Sequence, residues 1–275
     1  MRRLASFIVL VAMAAVALSA LIAGSAEICP QGCNADIVIL IDRSGTMAAD
    51  FGNGSSKYEV AVGGVIDFLN STCTDGRFWI GIIEFMYFTE NITYSGSPSN
   101  GILFNISSES VVQSLISKLE ARMVIPPVGL SMMGYAIGNA TNMLSTGRDD
   151  VDDYIILVSD GLTHQDPWSQ VDNARSKGIK IISVFIGDPR VDNDELLADI
   201  SDIFINISDP SVDVGSVLTG IYNQICPART PVLVGGLIVP NDNGVEARVA
   251  YRLPTLIAIA LIFIVSGYII YRSNS

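Results

Sequence analysis

Four short runs, Ile37 to Ile41, Trp79 to Ile83, Tyr154 to Val158 and Ile181 to Ile186, are apolar and β-rich with little polar alternation. A strand with one wet face alternates polar and apolar residues. Unbroken runs of this length therefore predict strands covered on both faces, and so a mostly parallel sheet. The segments between them have helical period. Ser56-x-x-Glu59 reads as a capping box, followed by Val62, Val65, Ile66 and Leu69 on one face. The same spacing recurs at Val112, Leu115, Ile116 and Leu119, at Met133, Ala136, Ile137, Ala140 and Leu144, and at Val214, Val217, Leu218, Ile221 and Ile225. The predicted order, β-α-β-(β)-α-α-β-α-β-α-β-α, is that of a doubly wound α/β domain, with Phe85 to Tyr94 as a short edge strand. No internal repeat of 20 to 50 residues is present.

In such a sheet, ligands bind outside the carboxyl ends of the strands. The first strand ends in Asp42-Arg43-Ser44-Gly45-Thr46, which places a carboxylate and two hydroxyls at i, i+2 and i+4 on one tight loop. Gly45 is expected to let that loop fold back so that the three oxygens converge. The run Tyr154 to Val158 leads into Ser159-Asp160-Gly161, a second carboxylate at the same sheet edge. Gly129-Leu130-Ser131-Met132-Met133-Gly134 opens a helix and adds a third hydroxyl. Two carboxylates and three hydroxyls, without His or Cys, form a hard-oxygen set suited to Mg²⁺, Mn²⁺ or Ca²⁺ rather than zinc or copper.

Asp42-x-Ser44-x-Thr46 after an apolar strand, Gly-x-Ser131 leading into Gly134-Tyr135-Ala136-Ile137, then Val158-Ser159-Asp160-Gly161 and Gly178-Ile179-Lys180-Ile181 resemble the von Willebrand factor A domain. That domain carries the metal-ion-dependent adhesion site also seen in integrin inserted domains. The resemblance spans about residues 34 to 226. It implies that Asp42, Ser44, Thr46, Ser131 and Asp160 hold one divalent cation, some directly and some through water, and that an Asp or Glu carboxylate of a protein ligand completes the coordination. Neutral hydroxyls leave the ion short of negative charge, so an incoming acid is favoured. Ser131 stands where the family usually has Thr and keeps the hydroxyl. Met132 and Met133 stand where polar residues are common, which makes an apolar rim or, for Met133, a core position.

Other residues invite competing readings. His164, the single histidine, follows Asp160-Gly161 and reads as a solvated loop residue without a nucleophile partner. Asp149-Asp150-Val151-Asp152-Asp153 lacks the ligand spacing of a calcium loop and reads as an exposed entry to the next strand. An enzymatic alternative is a phosphatase-like hydrolase with Asp42 as nucleophile, but the acid/base position two residues on is Ser44, which cannot protonate a leaving group at neutral pH. The expectation is a non-enzymatic binding module. A metal-independent scaffold for membrane or envelope partners is the alternative within that class.

The ends and the composition set the compartment. Met1-Arg2-Arg3 precedes a charge-free apolar run, Leu4 to Ala23, and small residues through Ala26, which reads as a signal peptide over 1–26 or as an uncleaved anchor. Leu253 to Tyr271 is a second apolar run of about 19 residues, close to the length that crosses a bilayer as a helix, followed by the tail 272–275. Residues 27–252 are then expected outside the cell membrane. Sixteen Lys+Arg against 28 Asp+Glu give a net charge of −12, which excludes a basic nucleic-acid binder, and 49% hydrophobic residues exclude a disordered acidic chain. Asn53, Asn70, Asn91, Asn105, Asn139 and Asn206 each begin an Asn-x-Ser/Thr acceptor, where chance predicts about two, as expected of an exported glycoprotein. Four cysteines allow three disulfide pairings. Given the domain layout all four fall on the face opposite the metal, and Cys29 with Cys226 and Cys33 with Cys73 is the favoured set. Residues 227–252, rich in Pro and Gly, form a β-hairpin or a stalk, with Asn241-Asp242-Asn243-Gly244 as a turn.

Overall fold

The computed structural model describes residues 33–52, 54–91, 103–225, 232–234 and 237–239. The strands are β1 (Ala35–Asp42), β2 (Phe78–Phe85), β3 (Thr89–Asn91), β4 (Phe104–Asn105), β5 (Asp152–Ser159), β6 (Lys180–Ile186) and β7 (Ile203–Ile207). The helices are α1 (Lys57–Ser71), α2 (Glu109–Met123), α3 (Met133–Leu144), α4 (Trp168–Ser176), α5 (Asp194–Ile200) and α6 (Val214–Ile225), with a 3-10 turn at Gly45–Ala48. The sheet order is β3-β2-β1-β5-β6-β7, with β4 also on β2. β1, β2, β5, β6 and β7 pair in parallel, and β3 and β4 pair antiparallel to β2.

The apolar runs are unbroken because each strand feeds two cores. In β1, Ile37, Ile39 and Ile41 point into a cluster with Val62 and Val65 of α1, Leu115 of α2 and Leu218 of α6. Val38 and Leu40 point the other way, against Ala136 and Ile137 of α3, Val171 of α4 and Leu197 of α5. The capping box at the start of α1 is formed: the Ser56 hydroxyl accepts from the Glu59 N–H, and the Glu59 carboxylate accepts from the Ser56 N–H.

This topology places the site. From β1 the chain crosses to β2 on one side, whereas β5, β6 and β7 are laid down successively on the other. The direction of winding reverses between β1 and β5, which opens a crevice at their carboxyl ends. Ile41 lies opposite Val158 in register, so Asp42 and Ser159-Asp160 leave the sheet side by side.

Several expectations are corrected in detail. β2 continues to Phe85, paired with Asp42, and the chain reverses at once, with the Met86 N–H donating to the Phe88 carbonyl at 3.0 Å. The edge strand thus begins at Thr89 rather than Phe85, and its expected end at 92–94 lies outside the described residues. The two-residue β4, too short to leave a pattern, was not anticipated. Beyond the domain, in a separate unit, Val232–Val234 and Leu237–Val239 pair as an antiparallel hairpin. The expected turn at 241–244 lies outside the described residues.

Among the described residues no helix is long and apolar enough to cross a membrane. The expected leader 1–26, membrane span 253–271 and tail 272–275 lie outside the described residues. Cys33 and Cys73 stand just before β1 and β2, on the edge opposite Asp42, and no described cysteine is free. The Cys33 sulfur is 3.9 Å from the Ile225 carbonyl oxygen, and the Cys73 sulfur is 2.9 Å from the Tyr222 hydroxyl. Cys29 and Cys226 lie outside the described residues. Of the sequon asparagines, Asn70, Asn105, Asn139 and Asn206 are exposed, Asn91 ends β3, and Asn53 lies outside the described residues.

The acidic run before β5 is not uniformly solvated. Asp149, Asp150 and Asp152 are exposed, but Asp153 is half-buried and its Oδ1 has no hydrogen-bond partner. Burial, together with the charges of Asp36 and Asp152, pushes its carboxyl up to about 6 from 3.8, against an opposing pull from Arg148. A carboxyl whose folded pKa is raised costs stability that builds as pH rises from the unfolded to the folded pKa, is full above the folded value and vanishes below the unfolded one. Asp153→Asn is expected to stabilise the protein at pH 7.5 by about 1 kcal/mol, after allowing for solvent screening, and by only a small fraction of that near pH 4. Urea denaturation at both pH values measures this, and a gain of equal size at pH 4 would refute it.

Candidate metal centre

Asp42, the last residue of β1, is fully buried. Its Oδ1 accepts the Ser44 N–H at 2.8 Å. Its Oδ2 accepts hydroxyls from Ser131 at 3.2 Å and from Ser159 at 2.6 Å. The Ser44 and Thr46 hydroxyls lie 3.1 Å apart, with Ser44 buried and Thr46 exposed. Asp160 is also fully buried. Its Oδ1 accepts the Leu162 N–H at 3.2 Å, and its Oδ2 accepts the Lys57 ammonium at 3.0 Å. The five oxygen-bearing residues singled out in the sequence thus meet at one rim of the sheet.

Backbone contacts hold the three loops together. The Gly45 N–H donates to the Gly129 carbonyl at 2.9 Å and the Val128 N–H to the Arg43 carbonyl at 3.2 Å. The Ser131 carbonyl accepts from the His164 N–H at 2.9 Å and the Thr163 hydroxyl at 3.2 Å. Gly45 has no positive φ, and a Cβ there would meet the Gly129 carbonyl oxygen at an ordinary 3.4 Å, so the loop does not depend on glycine at that position in the way expected from the sequence. Gly161 has φ +79°, and a Cβ there would sit 1.9 Å from the Asn193 carbonyl oxygen, so only glycine fits after Asp160.

The electrostatics favour a cation. Burial pushes the Asp42 carboxyl up to about 6 from 3.8; the Ser159 hydroxyl opposes this, the Asp160 charge adds to it, and the Ser44 hydrogen bonds lower it. Ionised at neutral pH, Asp42 is a buried carboxylate held only by neutral donors, a deficit that a positive ion at the rim would relieve. Among the described residues no group of three or more His, Cys, Asp or Glu could hold a metal. Any ion here must therefore draw on hydroxyls as well as the two acids. The residues present fit a hard divalent ion on that count.

Sequence reading missed four contributors. Ser159 makes the shortest contact to Asp42 and sat unremarked inside Val-Ser-Asp-Gly. Arg43, between the site residues, turns away into a buried network: it lies 3.5 Å from Glu84, which also binds Arg122 at 2.8 Å and accepts the Tyr58 hydroxyl. That network anchors the Asp42–Thr46 loop from behind. Lys57 and Asp192, 2.7 Å apart, are the others. A lysine opening a helix opposes the helix dipole, and that anomaly was the available signal. His164 is exposed and supports Ser131 through its backbone alone. Met133 is fully buried in the core, and the apolar rim comes instead from the exposed Tyr87, Phe88, Val128, Leu130 and Tyr135.

The von Willebrand factor type A domain profile matches residues 36–217. The chain belongs to the von Willebrand factor type A family. No curated protein matches it in sequence, but solved von Willebrand factor A structures share its fold. An aerotolerance-related membrane protein from Bacteroides fragilis is 17% identical, with 70% of this chain and 98% of that one covered and a TM-score of 0.56. The manganese-loaded TRAP protein of Plasmodium vivax is 14% identical, over 70% of this chain and 73% of that one, with a TM-score of 0.52. Proximal thread matrix protein 1 of the mussel byssus, solved with zinc in its MIDAS motif, is 17% identical over 69% of this chain and 46% of that one, with a TM-score of 0.51. Zinc in that protein's site shows that the softness argument does not exclude zinc across von Willebrand factor A domains.

Because the Asp42 carboxyl ionises near 6 when folded and near 3.8 when exposed, its charge destabilises the metal-free domain above pH 6. Asp42→Asn is expected to stabilise the metal-free protein at pH 7.5 by on the order of 1–2 kcal/mol while abolishing any rise in melting midpoint on adding Mg²⁺ or Mn²⁺. Thermal melts with and without metal read both effects. A metal-free variant melting well below wild type would contradict the burial argument.

Proposed function

We propose that the domain binds a protein ligand through one divalent cation held by Asp42, Ser44, Thr46, Ser131 and Asp160, with an Asp or Glu of the ligand completing the coordination. One observation carries this reading. A fully buried carboxylate, Asp42, is held by neutral donors beside the equally buried Asp160, at a rim whose Thr46 is open to solvent. Mg²⁺ is the proposed ion, with Mn²⁺ or Ca²⁺ as alternatives. The exposed Tyr87, Val128, Leu130 and Tyr135 around the loops favour a ligand whose acid is flanked by apolar side chains, since aromatic residues dominate binding surfaces of this kind.

The leader and the apolar run at 253–271 support a single-pass protein with this domain on the extracellular face of the cell membrane, where it acts in adhesion or in assembly of a surface complex. The exposed sequon residues Asn70, Asn105, Asn139 and Asn206 are accessible to glycosylation, and Asn53 and Asn91 complete the proposed acceptor set. At the opposite edge, Cys29–Cys226 with Cys33–Cys73 is the pairing proposed from the sequence. The Cys33 sulfur beside the Ile225 carbonyl favours Cys33–Cys226 with Cys29–Cys73 instead, and mapping of non-reduced peptides distinguishes the two.

A second reading, a metal-independent scaffold for membrane neighbours, draws on Lys57, which already neutralises Asp160 without any metal. Pull-downs from surface extracts with the purified full-length protein separate the two. The metal-dependent reading expects a ligand captured in magnesium, released by chelator and absent with Asp42→Ala. A ligand retained equally in chelator and by Asp42→Ala would establish the scaffold instead.

A further inference from the structure

Lys57 is the first residue of α1, and only 6% of it is exposed. The helix N-terminus there carries partial positive charge, so a buried ammonium at this point is doubly disfavoured unless carboxylates surround it. Its Nζ lies 3.0 Å from Asp160 Oδ2 and 2.7 Å from both oxygens of Asp192. The loop after β6 is shaped to bring Asp192 in. The Asp188 N–H donates to Asp192 Oδ2 at 2.8 Å, and Gly187 leaves room that a Cβ would fill, 2.2 Å from the same oxygen. The ammonium therefore has two acids, only one of which belongs to the metal centre.

We propose that Lys57 is an internal counter-cation of the metal centre, competing with the divalent ion for Asp160, and that Asp192 sets the strength of that competition by drawing the ammonium away. The inference rests on the cation-binding reading of the site. Charge counting gives its consequence. Asp42, Asp160 and Asp192 with Lys57 sum to −2, and a divalent ion brings the group to zero; without Lys57 the loaded group would keep a net negative charge. Lys57 thus weakens metal binding, ties Asp160 to Asp192 when no metal is bound, and leaves the loaded site neutral and receptive to a ligand's carboxylate.

The pair makes opposite predictions for two variants of the full-length protein, read as Mn²⁺ affinity by electron paramagnetic resonance and by the metal-induced shift in melting midpoint. Lys57→Met is expected to bind Mn²⁺ about tenfold more tightly, since repulsion between the ammonium and the ion is removed, and to gain more in melting midpoint on adding Mn²⁺ than wild type. Asp192→Asn is expected to bind Mn²⁺ several-fold more weakly, because Lys57 is then left with Asp160 alone. If Lys57→Met does not fold, Asp192→Asn decides. Wild-type binding with Lys57→Met unchanged or weaker, or with Asp192→Asn unchanged or tighter, overturns this proposal and leaves the metal centre standing. No Mn²⁺ binding by wild type sinks the metal centre and this proposal together.

Discussion

Two carboxylates buried next to each other at the rim of a sheet are the constraint around which this domain is organised. Asp42 and Asp160 leave adjacent parallel strands, lie beyond the reach of bulk water and repel each other. Left uncompensated, such a pair would be expelled or protonated. The structure surrounds Asp42 with hydroxyls and a backbone N–H, and gives Asp160 an ammonium. Compensation by neutral donors is incomplete, which is why Asp42 keeps a raised pKa, and why the same oxygens suit an ion.

The surrounding architecture serves that arrangement. Two apolar cores clamp β1 from both faces, so its end is a fixed platform on which the following loop can be short. Behind the loop, the Arg43–Glu84–Arg122 network ties it to β2 and to the end of α2. A buried network of this kind is weak evidence for stability but does specify geometry.

Much of this was legible from residue order. Unbroken apolar runs announced a sheet covered on both faces, helical spacing identified which residues of α1, α2, α3 and α6 face inward, and the capping box at Ser56 located the start of α1. The meeting of the five oxygen-bearing residues at one rim was readable because each sits at a strand end or helix entry, where backbone geometry leaves few directions for a short side chain. Ser159, Lys57 and Asp192 were not readable in the same way. Asp192 lies 135 positions from Lys57 along the chain, and nothing local marks it as that residue's partner. Met133, placed either in the rim or in the core by sequence, went to the core because its neighbours Ala136 and Ile137 define the buried face of α3.

The sequence by itself determined the alternation of strands and helices, the hard-oxygen character of the loop residues and the acidic balance of the chain, because these follow from periodicity and residue chemistry over short stretches. Only the tertiary structure decided which acids face which bases. That outcome depends on the reversal of winding between β1 and β5, which brings residues remote in the chain within a few ångströms, where charge, burial and hydrogen bonding act together.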